Sequence, residues 1–401
     1  MLLELPISKS IANRLLILQA IHGDELAGSP TALASWGALT TVSACGVPDD
    51  VQLLHRALTT LHNASNSSQS ERPIGGTPSY SPSGRPIAAQ AASCSSIELG
   101  NCGTAMRFLT AYCAQLAGQT TILDGVERMH HRPIGQLVDA LREIGADIEY
   151  LGEEGFPPLR IMGKALDKSK PITLNQPQST QFVSALLLIG ANVQTDSTSP
   201  YITLTREMIK NKEQGTKNKD KLLTTDQTQV TNLGSLLLAP YSEIERDWSS
   251  AAFWYEYVAL YGSEITLPGL SRDSLQGDKV VADIFTHLGV HTTFTAEGIT
   301  LSPHRLIASS PFAYNFSNCP DLYPAVALTC ERLGIELHAT GVDSLPLKES
   351  DRLRAVREHR TDADHRIAMA LLVAGYEVDD TACISKSYPQ FLEQFRQLRK
   401  K

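Results

Sequence analysis

The run Leu99-Gly-Asn-Cys-Gly-Thr-Ala-Met-Arg107 puts two glycines and a threonine directly ahead of an apolar helical pattern with an arginine one turn in. Residues of these types at this spacing make an anion site. Free backbone N–H groups and the positive end of a helix face a phosphate or carboxylate, and Arg107 adds a fixed charge. Taken singly, a glycine before a helix is more often a plain turn. The chain, however, repeats the arrangement. Six strongly apolar helical stretches open on polar or charged residues: Lys9-Ser10 before Ile11–Ile21, Asn101–Thr104 before Ala105–Ala117, Ser179-Thr180-Gln181 before Phe182–Ala191, Asp247-Trp248-Ser249 before Ala251–Leu260, Asp321 before Leu322–Cys330, and Asp364-His365-Arg366 before Ile367–Ala374. Lys and Arg gathered at the starts of buried helices point to small anionic ligands.

The elements that must position these residues follow from periodicity. Each buried stretch precedes an amphipathic one, with apolar residues near i, i+3, i+4 and i+7: Val51–Leu61, Leu137–Ile144, Leu204–Ile209, Val280–Leu288, Leu353–Val356 and Tyr388–Leu398. Two tails overlay directly, Leu137–Tyr150 on Val281–Phe294, as helix, glycine, then alternating strand. Strand patterns at Ile122-Leu123, Leu159–Met162, Ile265–Leu267, Ile299–Leu301 and Ile335–Ala339 complete an α/β chain with internal repetition, three repeats on each side of a cleft.

A chain of 401 residues exceeds the size at which one core stops growing, so two domains are expected. Its apolar runs, such as Phe182–Val193, fall short of the ~20 residues a bilayer requires. Lys9 and Arg14 before Leu15–Leu18 are too little for a signal peptide, because Gln19 and Asp24-Glu25 follow at once. Seven cysteines without a CxxC pair read as free thiols in a reducing cytoplasm. A formal charge of −8 argues against non-specific nucleic-acid binding. Asn63–Ser96, rich in Ser, Pro and Gly, reads as a surface insertion, and lysine-rich Lys210–Leu223 as a solvated loop. His130-His131 make no metal site, since adjacent side chains diverge and no acidic or Cys partner stands at ligand spacing.

At this point the chain resembles the 5-enolpyruvylshikimate-3-phosphate synthases. The resemblance rests on eight segments in the family's order: Ser8–Arg14, Gly100–Arg107, Gly125–Ile134, Ser179–Phe182, Ser274–Asp278, Lys348–Arg352, Asp364–Arg366, and Lys386 near Tyr388-Pro389. It implies the two-domain enolpyruvyl transferase fold, each domain built of three helix and strand repeats whose buried parallel helices aim at the interdomain cleft. The implied domains are 6–240 and 241–401 together with 1–5. The implied reaction is attack of the 5-hydroxyl of shikimate 3-phosphate on C2 of phosphoenolpyruvate while C3 is protonated, followed by loss of phosphate. Such chemistry needs fixed cations, an acid and a base, and neither metal nor cofactor.

Carried over residue by residue, the resemblance assigns shikimate 3-phosphate to Lys9, Ser10, Arg14, Ser179, Thr180, Gln181, Thr198, Tyr201, Ser344 and Lys348. Phosphoenolpyruvate falls to Lys9, Gly103, Arg128, Gln181, Arg352, Arg366 and Lys386, with Asn101 and Thr104 beside them in the binding set. Asp321 is the implied base on the 5-hydroxyl and Glu349 the implied acid toward C3, with Lys9 also catalytic. The retained Gly103 further implies competition by glyphosate. The resemblance points to a cytoplasmic monomer acting on two small anions, without nucleic acid or membrane. Thr198 and Ser344 stand where the flanking sequence has drifted, Ile7 replaces a common glycine, and Cys102 and Phe108 flank Gly103 in place of a common alanine and proline. Two other readings stay open. One is a UDP-N-acetylglucosamine enolpyruvyl transferase, whose reactive-cysteine motif is not matched; the other is a non-catalytic binder of anionic metabolites. The latter arises because only thirteen positions separate Arg352 from His365, which shortens the fifth repeat. The polar link Glu358–Asp364 offers nothing to bury, so an uncovered apolar patch beside Leu353–Val356 and a less stable C-terminal half are expected.

Overall fold

The computed structural model describes residues 1–26, 47–70, 94–217 and 244–400. Its N-terminal half runs through helices α1 (Lys9–Leu26) and α2 (Asp49–Ser70), strand β1 (Cys94–Glu98), α3 (Gly103–Ala114), β2 (Thr120–Asp124), α4 (Gly135–Glu143), β3 (Asp147–Tyr150), β4 (Leu159–Met162), β5 (Ile172–Thr173), α5 (Thr180–Leu188), β6 (Val193–Gln194) and α6 (Pro200–Lys217). The C-terminal half continues with α7 (Trp248–Tyr261), β7 (Ile265–Pro268), α8 (Val281–His287), β8 (Val290–Phe294), β9 (Gly298–Pro303), β10 (Phe312–Asn315), α9 (Tyr323–Leu333), β11 (Leu337–Thr340), α10 (Arg352–Glu358), α11 (His365–Ala374) and α12 (Phe391–Arg399).

Two kinds of helix do different work. In α3 every residue but Thr104 is buried, and α7 and α11 are buried from end to end but for a few C-terminal positions, as expected of helices apolar all round. In α4 and α12 only one stripe is covered: Leu137, Val138, Ala140 and Leu141, then Phe391, Phe395 and Leu398. Caps fix the starts that matter. Ser179, Asp247 and Asp364 accept hydrogen bonds from Gln181, Ser250 and Arg366, and the last two sites carry a negative charge onto a helix N-terminus. Helices α7, α9 and α11 end on Gly262, Gly334 and Gly375 with φ of 70°, 70° and 85°, a left-handed turn that a side chain would strain.

Among the described residues four small sheets lie over these helices. Strands β1, β2, β4 and β3 form one in that order, with β1 and β2 parallel and the remainder antiparallel; β7, β9 and β8 form an antiparallel trio. The pairs β5/β6 and β10/β11 are both parallel. Buried side chains fall into two cores. One extends from Ile7 to Ile244, and the other joins Leu3 and Leu5 to residues Trp248 through Leu398. Leu3 belongs to the second core because its N–H bonds the Thr266 carbonyl at 3.0 Å, beside β7.

Three expectations change. Lys210 does not begin a loop: α6 continues to Lys217, since the apolar spacing of Leu204 and Met208 runs on into helix-favouring Lys, Glu and Gln, and Glu207 pairs with Lys210 at 3.6 Å. Residues 218–223 lie outside the described residues. The supposed insertion is narrower as well, because α2 reaches Ser70 and Cys94–Ser96 belong to β1, paired with Thr120–Ile122. Its middle, 71–93, lies outside the described residues. Finally, no uncovered patch flanks Leu353–Val356. Ala355 and Val356 are buried in the second core and Leu353 is half-buried, because α10 packs on α9 and α11. The polar link is tied down by polar contacts instead. Thr361 is buried and donates to Asp379 at 2.5 Å, Arg354 bonds Asp362 at 2.8 Å, and the His359 ring stacks on Tyr376 at 4.0 Å. The short repeat shows elsewhere: β10/β11 is only two-stranded, and its Phe312, Tyr314 and Leu337 remain half-buried.

Candidate active site

The N-termini of all six buried helices open onto one cavity of about 250 Å³ between the two cores. Lys9 and Ser10 come from α1, Gly103 and Thr104 from α3, Ser179–Gln181 from α5, Asp247 from the cap of α7, Asp321 from the turn before α9, and His365 and Arg366 from α11. Six partial positive charges therefore converge on the same space. Seven Lys and Arg side chains line it against four Asp and Glu, so the cavity is locally cationic although the whole chain carries −8.

On the C-terminal wall the charges interlock. Asp321 accepts from Arg352 at 2.7 Å and Arg366 at 3.0 Å, with Lys348 at 3.5 Å. Burial alone would raise this carboxyl, but Arg366, Lys348 and Arg352 together hold it well below the usual carboxylate range. Arg352 also bonds buried Asp364 at 2.7 Å, and these carboxylates push its own pKa up against the effect of burial. Glu349 meets His365 Nδ1 and Lys386 Nζ, each at 3.0 Å, and these neighbours keep it ionised despite its burial. A carboxylate only accepts, so His365 carries its proton on Nδ1. Burial lowers the His365 pKa and leaves its Nε2 without a partner.

The N-terminal wall is almost free of acid. Arg14 is buried and donates to Thr205 (2.7 Å), Ser184 (3.2 Å) and the carbonyls of Ser10 and Tyr201, and burial brings its pKa down to about 10. Arg107 gives a hydrogen bond to Gln181 Oε1 at 2.8 Å, whose amide nitrogen donates to Thr104 at 2.8 Å. Burial and the nearby Arg132 lower Arg107 to about 9. Both guanidinium groups crowd Gly103: a Cβ there would stand 2.4 Å from Arg132 Nη2 and 2.7 Å from Arg107 Nη1. Two buried like charges against a bare helix start ask for an anion.

Of the residues named from sequence, Lys9, Ser10, Arg14, Gly103, Thr104, Ser179, Thr180, Gln181, Tyr201, Asp321, Ser344, Lys348, Glu349, Arg352 and Arg366 line this cavity. Asn101, Arg128 and Lys386 gather at its edge around Glu349. Arg128 donates to the carbonyls of Pro346 and Lys348 (both 3.0 Å) and Glu349 (3.2 Å), spanning the two cores, and Lys386 reaches Asn101 O at 3.2 Å. Thr198 is not brought in; it lies exposed ahead of α6. Sequence reasoning missed Asn13, Asp50, Arg132, Asp247 and His365 as lining residues. Asp50, which pairs with Lys9 at 3.1 Å, carried no signal beyond an ordinary acidic first turn. Arg132 did: it lies within the Gly125–Ile134 segment and grips Asn101 O at 2.9 Å.

Two chemistries fit poorly. Glu349, Asp364 and His365 offer donor atoms within 4.8 Å of one another, but Lys386 and Arg352 already neutralise the carboxylates and would repel a metal ion. Cys102, next to Gly103, is buried with its thiol pushed up to about 12, far from a reactive thiolate. Among the described residues no helix is long and apolar enough to cross a membrane.

A family model described as EPSP synthase (3-phosphoshikimate 1-carboxyvinyltransferase) matches residues 2–359 and 356–395. A 3-phosphoshikimate 1-carboxyvinyltransferase of Bacteroides fragilis (strain YCH46) is 33% identical over 441 aligned positions, covering 98% of this chain and 94% of the relative. One from Colwellia psychrerythraea is 28% identical, covering 98% and 96%. The solved EPSP synthase of Acinetobacter baumannii shares the fold, with a TM-score of 0.55 at 18% identity over 99% of this chain and 95% of that one.

Proposed function

Since the chain belongs to the EPSP synthase (3-phosphoshikimate 1-carboxyvinyltransferase) family, we propose that its cleft transfers the enolpyruvyl group of phosphoenolpyruvate to the 5-hydroxyl of shikimate 3-phosphate and releases phosphate. The observation that carries this is the convergence of six helix N-termini and seven cations on one cavity that also holds two differently placed carboxylates, Asp321 and Glu349. Both substrates are phosphorylated carboxylates, and such a wall neutralises and orients them together.

The residue roles follow. Lys9, Ser10, Arg14, Ser179, Thr180, Gln181, Tyr201, Ser344 and Lys348 hold shikimate 3-phosphate. Lys9, Gly103, Arg128, Gln181, Arg352, Arg366 and Lys386 surround phosphoenolpyruvate. Asp321 takes the 5-hydroxyl proton as the oxygen attacks C2, and Glu349 delivers a proton to C3. The adduct then expels phosphate, which leaves with the proton taken from the 5-hydroxyl, and Glu349 recovers a proton from C3. In the empty site Glu349 is ionised by His365 and Lys386. Substrate anions compete for Lys386 and so raise the affinity of Glu349 for a proton, which makes it an acid when one is needed.

The reading extends to a cytoplasmic, monomeric enzyme divided at 6–240 and 241–401 with 1–5. Its test is phosphate release, measured with both substrates and with each alone. Release that requires both is expected; release from phosphoenolpyruvate alone overturns the reading in favour of a hydrolase, and none with both overturns it in favour of an anion binder.

A further inference from the structure

Ser274-Leu-Gln-Gly-Asp278 is one of the segments shared with the family, yet none of its residues lines the cavity or enters the roles above. Its surroundings show what it holds. Among the described residues the chain passes between the two cores near Pro6–Ser8 and near Ile244–Asp247, and these crossings pair as antiparallel backbone: Ile7 bridges Arg246, Ser8 N–H bonds Glu245 O at 2.9 Å, and Asp247 N–H bonds Pro6 O at 3.0 Å. Buried Gln276 clasps both. Its Oε1 accepts from Ser8 Oγ (2.8 Å) and Trp248 N–H (3.3 Å), and its Nε2 donates to Glu245 Oε2 (2.9 Å) and Arg246 O (2.8 Å). All four hydrogen-bonding positions of the amide are filled.

The rest of the segment bears on the same join. Ser274 Oγ donates to Glu245 at 2.8 Å. A Cβ on Gly277 would stand 2.8 Å from Pro200 Cβ at the start of α6, and Asp278 accepts from the Tyr201 hydroxyl at 2.9 Å. Immediately beyond Ser8 lies Lys9, whose own N–H reaches Asp247 Oδ2 at 3.3 Å.

We propose that Gln276 is a positioning residue, the clasp that locks the two crossings and so holds Lys9 and Tyr201 of the N-terminal wall in register with the C-terminal wall. This rests on the proposed reading of the cleft. Loosening the clasp lowers the fraction of molecules with both walls in place, and apparent affinity falls by that fraction for every ligand needing both.

Gln276→Met keeps the volume and deletes the four bonds. We expect KM for both substrates to rise together by about tenfold, with kcat at saturation within about threefold of the parent protein. Amide exchange at Ser8 and Lys9, followed without substrates, should accelerate while that of Ile299–Leu301 stays unchanged. Gln276→Glu, which keeps the contacts with Ser8 and Trp248 but sets a carboxylate oxygen against Glu245 Oε2 and Arg246 O, should show the same paired rise in KM, and it serves where Gln276→Met folds poorly. A change in KM for one substrate only, or unaltered exchange at Ser8 and Lys9, overturns the clasp. Absence of turnover in the parent protein overturns the reading of the cleft instead, and the exchange measurement still decides the clasp.

Discussion

Asp321 and Arg352 carry different burdens although they touch each other. Asp321 faces the cavity and is surrounded by cations, so Asp321→Asn removes a base without uncovering a buried acid. Turnover should fall by about 10²-fold or more with substrate binding little changed, and Glu349→Gln should behave alike; near-parent kcat in both would strip them of these roles. Arg352 is different, because it is also the main partner of fully buried Asp364. Arg352→Ala would strand that carboxylate and cost about 3–5 kcal/mol of stability, seen as a lowered melting temperature, before any effect on substrate is read. Among the described side chains Arg366 pairs with Asp321 alone, at 3.0 Å, so Arg366→Ala is the cleaner probe. It should weaken phosphoenolpyruvate by roughly 2–5 kcal/mol and shikimate 3-phosphate far less.

Helix α3 shows how an element turns sequence into a site. Its start was legible in Gly100–Arg107, because glycines, a hydroxyl and an arginine ahead of an all-apolar run leave little else for the segment to be. The pairing of Arg107 with Arg132 was not, since the latter arrives from a separate turn after β2 and no local periodicity reports that meeting. The same limit explains Arg128, whose three carbonyl partners lie more than two hundred residues away. Buried helices announce themselves by composition, whereas the short α10 and the link after it are held by Thr361–Asp379 and Arg354–Asp362 bonds that pattern alone cannot foresee. Crowding at Gly103 gives a sharp expectation. In Gly103→Ala the atoms nearest the new methyl are the ends of two arginine side chains, which can shift without moving the backbone. Melting should shift by no more than a few degrees, while KM for phosphoenolpyruvate rises about tenfold, the equivalent of ~1.4 kcal/mol. An unchanged KM would mean that the arginine pair does not help to hold this ligand.

Across the molecule the cleft is where acidity and stability are linked. Asp321, Glu349 and Asp364 are all held below their ordinary range by neighbouring cations, so the stability they contribute is present above about pH 4 and lost as pH falls below it. Steep acid destabilisation below about pH 4 is therefore expected, readable as melting temperature against pH. Asp278 works in the opposite sense. Burial, helped by the negative charge of Asp321, raises it to about 6, so the folded protein retains a proton that the unfolded chain releases near pH 4. Its contribution favours folding at the acid end and is withdrawn as pH rises from about 4 to about 6. Asn in its place still accepts the Tyr201 hydroxyl but has no proton to lose. The stability of Asp278→Asn relative to the parent protein should therefore improve steadily between about pH 4 and 6 and level off above it. A flat difference across that window would show that Asp278 ionises in the folded protein as freely as in the unfolded chain.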